Sequence, residues 1–405
     1  MLPLEQTDES PSASYGRVPD SSRRVLVVIL FSLCTILLFA DQNLMSPNLS
    51  AIAEEFGFDD TEKDKKLGGQ IALAFFVLGA PASFIVGCLA DSWNRTQLFA
   101  VTVCIGEGAC LATYWARTYG ELYACRAITG FSVGGALPLI YSILGDLFSA
   151  GDRHVVSALV GFGTGAGISF GQGVAGFVGP HYGWRLPFLI ISVPAIVVAI
   201  SVWLFVPDPE RGAMEEAHRD RAPVQGPRRD ISVSNTDVEM IPLDSQFDST
   251  TNEQTCFDVR THWLAFKSLL STPTVLFALL QGAPGCVPWG VVNAYLNDYL
   301  AKDRGMTVEK ATLTILIFGV GNFLGLVLSG AGSWYLYRMD KRYPALLAGV
   351  SAAAGCFPFW YLINGIDDSS DAFVVGLVSL VAGIGAGVTG PIIKAELQNV
   401  TIPQE

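Results

Sequence analysis

Three ionisable residues stand inside apolar runs, where a charge is expensive. Asp41 follows the run that starts at Val25, Arg126 lies near the start of another, and Glu107 sits mid-run in Cys104-Ile-Gly-Glu-Gly-Ala-Cys110. Within a stretch long enough to cross a bilayer, such residues mark a pathway, an internal pair or a proton site. Asp41 and Arg126 fall at similar depths in their runs, so carboxylate and guanidinium can meet. A pair of this kind balances desolvation against a neighbouring opposite charge, and so can exchange a proton. A permanent ion pair that only orients helices is the competing reading. For Arg126 alone, so is snorkelling to the nearby interface. Glu107 fits either direct coupling or a packing role.

A second group sits at the end of an apolar run, in Gly87-Cys-Leu-Ala-Asp91-Ser-Trp-Asn-Arg95. Gly87 is expected to let another helix approach closely, and Asp91 and Arg95 to pair with neighbouring helix ends. Asp146 and Arg153 can complete a charge cluster there, either remade between conformations or static. A third group, Trp289, Asn293 and Tyr295, follows Pro284 and Pro288. Two prolines free backbone groups that are tolerated at depth only against protein or a wet cavity. Aromatic and amide groups beside them suit a ligand with apolar and polar parts; helix packing is the alternative. The eight Cys show no CxxC spacing, and the four His (154, 181, 218 and 262) are expected in loops. No metal site or cofactor is expected, and the absence of HExxH and P-loop patterns leaves no sign of ATP use.

The elements that must position these residues follow from composition. Of 405 residues, 51% are apolar and only 15% charged, where a soluble protein carries roughly 25% charged residues. Most soluble enzymes are thereby excluded, and a net charge of −12 argues against nucleic acid as a partner. Apolar runs of spanning length lie near 25–45, 69–90, 98–116, 121–145, 155–178, 185–206, 273–296, 310–332, 344–363 and 372–393. The chain reads as an all-α polytopic membrane protein. Its expected parts are a cytoplasmic tail (1–24), a six-helix bundle (25–206), a largely disordered cytoplasmic linker (207–270) and a second bundle of four spans (271–405). The positive-inside bias sets the sides: fifteen of the 25 Lys and Arg fall on the side of the N-terminus and linker. With the first 22 residues polar and acidic, no cleavable signal peptide is expected. Plasma membrane and lysosomal or vacuolar membrane both remain open.

There is internal repetition. Gly87 begins GCLADSWNR and Gly330 begins GAGSWYLYR, with Arg95 and Arg338 each eight residues on. Duplicated halves of this kind are typical of secondary transporters.

The Gly87–Arg95 segment resembles the GxxxDxxGR loop of the major facilitator superfamily, with Asn94 where that pattern has Gly. The run Arg126-Ala-Ile-Thr-Gly130 is similar to the family's fourth-helix motif, whose Arg takes part in proton coupling. The glycines from Gly161 to Gly179 resemble its fifth-helix gate element. The resemblance implies two six-helix bundles working by alternating access, of which this sequence shows ten spans and lacks the last two. Ala40-Asp41-Gln-Asn-Leu-Met-Ser-Pro-Asn-Leu and Gly285-Cys-Val-Pro-Trp-Gly290 look like the spinster-like branch, which exports lysophospholipids and sphingosine phosphate. Gln42 departs from the Arg common there. What the resemblance implies is a monomeric, proton-linked transporter of a lipid-like organic anion. A sugar or small organic acid carrier, a non-transporting receptor and a truncated inactive product are the alternatives.

Overall fold

The computed structural model describes residues 21–148, 150–209, 267, 273–340 and 342–401. The expected linker lies almost wholly outside these residues, as does the side chain of Arg153. Helix α1 spans Ser21–Gln42, and a 3-10 turn over Ser46–Asn48 leads into the short α2, Leu49–Phe56. Gly57, at φ 69°, ends α2 in the left-handed conformation that a Cβ disfavours. Then come α3 (Ile71–Ala90), α4 (Arg95–Ala112), α5 (Tyr119–Leu147), α6 (Ala150–Tyr182) and α7 (Leu186–Phe205). The remainder is α8 (Pro273–Lys302), α9 (Val308–Met339), α10 (Tyr343–Asn364) and α11 (Ala372–Thr401). Among the described residues there is no strand.

Each expected span has its helix. Eight of the helical stretches are long and apolar enough to cross a membrane; α6 and α8, with 33 and 30 residues, are the other two long ones. Elements outside the expected spans include α2, a helical turn over Asp60–Glu62 and a π-helical stretch over Lys63–Gln70 that runs straight into α3. A further correction concerns His154 and His181, which lie within α6 rather than in loops. The apolar periodicity fades near the polar ends of that helix, although its backbone continues.

Local chemistry explains the helix starts. Thr118 and Glu121 form a capping box at the start of α5. Asn94 has extended backbone (φ −65°, ψ 117°), and its side chain accepts from Gln97 N at 2.9 Å. Asn94 therefore serves here as a helix cap, with its backbone in the ordinary extended region.

Helices α1–α7 form one packed half. In it α1 lies on α6 and α7, α3 on α5, and α4 on α5 and α7. Fully buried Phe31, Phe99, Leu139, Ile140 and Phe188 fill its centre. In the second half α9 is the hub, touching α8, α10 and α11. Small residues let backbones approach within a membrane, where lipid removes the hydrophobic drive between helices. A Cβ on Gly134 would collide with the carbonyl of Gly79, and one on Gly130 with that of Phe75. Gly87 is different: a Cβ there would meet open space, so the close approach expected of it is made about two turns earlier, at Gly79. Large apolar side chains such as Leu73, Phe84, Phe357 and Phe373 are exposed, as a lipid-facing surface requires.

The two halves meet along α6 and α9, and where the Ser46–Asn48 turn touches α8. Gly176 takes Thr312 of α9 against its backbone, and Phe162 meets Phe323 edge to face at 5.0 Å.

Candidate functional site

Asp41 ends α1 fully buried, and Arg126 lies two turns inside α5, 3% exposed. Arg126 Nη1 donates to Asp41 Oδ1 at 2.8 Å. Its Nη2 donates to Thr113 Oγ1 at 3.2 Å, and its guanidinium stacks 4.8 Å from the Phe188 ring centroid. Arg126 thus points into the half, not out to an interface. Cys110 Sγ donates to the same Asp41 oxygen at 2.7 Å. Glu107, one turn back on α4, is fully buried as well. A carboxylate oxygen of Asp41, one of Glu107 and the Cys110 sulfur all lie within 4.8 Å of one another. The network is incomplete: Asp41 Oδ2, both Glu107 oxygens and Arg126 Nε have no hydrogen-bond partner among the described residues. Buried polar atoms are rarely left so, and those that are call for an explanation. The same run contains Gly130-Phe-Ser-Val-Gly134, the spacing of a serine nucleophile turn. Here it is continuous helix, and buried Ser132 Oγ donates to Thr129 O at 2.9 Å, which leaves no exposed nucleophile.

At the opposite end of this half, Arg95 is 2% exposed and heavily bonded. It pairs with Asp146, bonds Ser142 Oγ at 3.0 Å, and grips Asp208 through both its backbone N (2.9 Å) and Nε (3.0 Å). Its Nη2 also reaches the carbonyl of Pro209. The expected pairing of Arg95 with Asp146 is present. What the sequence reading missed is Asp208, two residues past the end of the 185–206 run and therefore counted as linker. It ties the segment after α7 back to the start of α4.

The third group divides. Trp289 packs on Phe318 at 6.0 Å between centroids, and Asn293 is half-buried. Tyr295 crosses to the other half, where its hydroxyl donates to Asp64 O at 2.7 Å and its ring fills the space left by Gly68. Beside it is the main polar contact between halves. Lys63 Nζ and Asp298 Oδ2 pair at 2.5 Å, both nearly buried. Asp298 Oδ1 accepts from Ser50 N (3.1 Å) and Ser50 Oγ (2.6 Å), so both carboxylate oxygens are satisfied. Lys302 adds a pair to Asp60. These groups line a cleft of about 370 Å³ with Asp64, Tyr299 and Asp303. Lys63 sits in the π-helical stretch, whose wide turn departs from the regular side-chain rotation and is common at functional sites. No sequence signal announced it, since Lys63 lies in the mixed-charge run Asp59-Asp60-Thr-Glu-Lys-Asp-Lys-Lys66 that reads as a solvated loop.

Two helical halves, buried charge inside one of them and an apolar outer surface define a multi-pass membrane protein. The model of the Major Facilitator Superfamily matches residues 31–403, and the chain belongs to that family. The chain is 28% identical over 302 residues to a niacin transporter of Acinetobacter baylyi, covering 73% of this chain and 63% of that protein. It is 24% identical over 196 residues to synaptic vesicle glycoprotein 2B of Rattus norvegicus, covering 44% of this chain and 29% of that one. The chain thus spans about three-tenths of the length of the synaptic vesicle glycoproteins it matches. In fold it is similar to a bacterial homolog of the human lysosomal transporter Spinster in an inward-facing, unoccupied conformation. That match has a TM-score of 0.64 at 18% identity and covers 94% of this chain and 79% of that one.

Proposed function

We propose that the chain is a secondary active transporter that works by alternating access, is linked to protons, and carries a lipid-like organic anion such as a lysophospholipid or sphingoid phosphate. The observation that carries this reading is the buried Asp41–Arg126 pair, held at 2.8 Å inside a single half. A charge pair so placed is costly, and intramembrane ionisable groups are functional by default. Glu107 belongs to the same coupling site. Trp289, Asn293 and Tyr295 are the proposed contributions of α8 to the substrate path. Gly87, Asp91, Arg95, Asp146 and Arg153 are assigned to conformational gating at the cytoplasmic end, and Lys63 with Asp298 to closure of the opposite end. The N-terminus and linker are cytoplasmic in this reading, on the strength of the Lys and Arg bias.

The spinster-like segments support the lipid cargo. A small organic acid is the second reading, favoured by the likeness to a niacin transporter over 73% of this chain. The test uses the full chain in liposomes under an imposed pH gradient. Uptake of a labelled lysolipid is expected in the wild type and none in Asp41→Asn, with expression intact. Unchanged uptake in that variant removes Asp41 from the mechanism. A thermal shift with organic acids or sugars but not lysolipids would overturn the lipid cargo, and no proton flux with any of them would leave a receptor.

A further inference from the structure

We propose that Asp41 and Glu107 hold a single proton between them, and that Glu107 is the member that releases it and takes it back. The inference rests on the proton-linked reading and deepens it, because it names a second carboxyl and places the exchange wholly inside the first half.

The geometry gives the reason. Two buried carboxyl groups and a thiol approach within 4.8 Å, yet three of the four carboxyl oxygens accept no hydrogen bond. Two carboxylates at such range cannot both stay ionised in a dry interior, and the usual outcome is one shared proton. The charge count agrees. Asp41 and Arg126 already neutralise each other through the 2.8 Å bond. An ionised Glu107 would leave the pocket with a net negative charge and no hydrogen bond to its carboxylate in this conformation, whereas a neutral Glu107 closes the sum at zero. It also gains an O–H, while Asp41 Oδ2 is an unoccupied acceptor in the same cluster.

Every titratable or charged group facing Glu107 enters this account. Among the described residues these are Asp41 and the Cys34 thiol from α1, Cys104 and Cys110 from α4 itself, and Arg126 from α5. A metal ion is the poorer occupant. Cys110 acts as a thiol donor to Asp41, and the guanidinium of Arg126 already occupies the place of the cation.

On release, the Glu107 O–H bond breaks and the proton leaves on water. The carboxylate left behind has one uncommitted donor in the cluster, Arg126 Nε. Turning that donor to Glu107 loosens the Asp41 contact and changes how α1, α4 and α5 are held together. Gly106, next to Glu107, is the position where α4 rests on Ser132 of α5, so a shift there passes directly between the two helices.

The experiment is infrared titration of the full chain in phosphatidylcholine nanodiscs, reading the C=O stretch of protonated carboxyl groups from about pH 5 to about pH 10. A band that declines with rising pH is expected in the wild type and is absent in Glu107→Gln. In Asp41→Asn, Arg126 has only Glu107 to pair with, and the band is lost at neutral pH. Glu107→Asp keeps the band at a shifted frequency, which decides the matter even if Glu107→Gln does not fold. A band unchanged in Glu107→Gln, unshifted in Glu107→Asp, or fully retained at neutral pH in Asp41→Asn overturns the proposal. No substrate is added, so the two readings separate. A titrating Glu107 without pH-driven uptake removes coupled transport and leaves the shared proton; uptake without such a band does the reverse.

Discussion

Two buried ion pairs carry opposite messages. Lys63–Asp298 joins the two halves, and both oxygens of its carboxylate are bonded, to Lys63 and twice to Ser50. Asp41–Arg126 joins helices of one half, and its surroundings leave Asp41 Oδ2, both Glu107 oxygens and Arg126 Nε unbonded. Burial is nearly the same in both, at 7% and 8% side-chain exposure against 4% and 0%. The difference therefore lies in completeness and in what is joined. A complete pair between two bodies is a fastener whose loss changes their association. An incomplete pair within one body has room for a change of protonation, because its spare acceptors gain a bond when a proton arrives.

The sharpest way to break this contrast is to remove one partner from each pair. Arg126→Met leaves Asp41 buried without a cation, which costs about 3–5 kcal/mol and should lower the melting temperature of the purified protein markedly. The double variant Asp41→Asn with Arg126→Met should recover most of that loss. Equal instability in the double variant would mean that the guanidinium acts through its stacking on Phe188 rather than through charge.

Next in size is Gly134→Leu. The side chain has nowhere to go against the Gly79 carbonyl, and overpacking of this kind costs about 1–3 kcal/mol. A melting curve tests it, with Gly87→Leu as the partner expected to change little, since that site is open. Equal effects would mean that the tight α3–α5 crossing does not control the first half.

Lys63→Met should leave each half folded but release their contact. A shift of about tenfold toward the state open at the Lys63 end is expected, roughly 1.4 kcal/mol. The readout is labelling of an introduced Tyr299→Cys by a membrane-impermeant maleimide. Restored protection in the charge swap Lys63→Asp with Asp298→Lys would show that the pair itself is the fastener. The smallest effect belongs to Lys310→Ala. Its pair with Asp368 at 2.6 Å is more than half exposed on both sides, so a few tenths of a kcal/mol or less is expected in a melting curve.

How much of this was legible beforehand depends on which signal a residue leaves. Asp41, Glu107 and Arg126 were conspicuous because a charge breaks an apolar run. Cys110 was not, because a thiol in such a run reads as filler, and only its neighbour reveals it as a donor. Arg95 and Asp146 both flank apolar runs and were found. Asp208 and Lys63 sit among other polar residues, where one charge cannot be told from the next. Gly87 was given a packing role on residue type alone, and the approach is made at Gly79 instead, since a glycine shows that a Cβ is missing and not what stands opposite.

By itself, the sequence determined the all-helical, membrane-spanning class, the near positions of the long helices and the cost of burying Asp41, Glu107 and Arg126. These follow from local quantities: run length, apolar content and the desolvation of charge. Only the tertiary structure decided that Arg126 reaches Asp41, that Cys110 and Glu107 share their pocket, and that Lys63 crosses to Asp298. Partners separated by 85 or 235 positions in the chain meet through helix crossing and rotation. That rotation is set by which small residues let two backbones touch and by one π-helical stretch, neither of which leaves a periodic trace in the sequence.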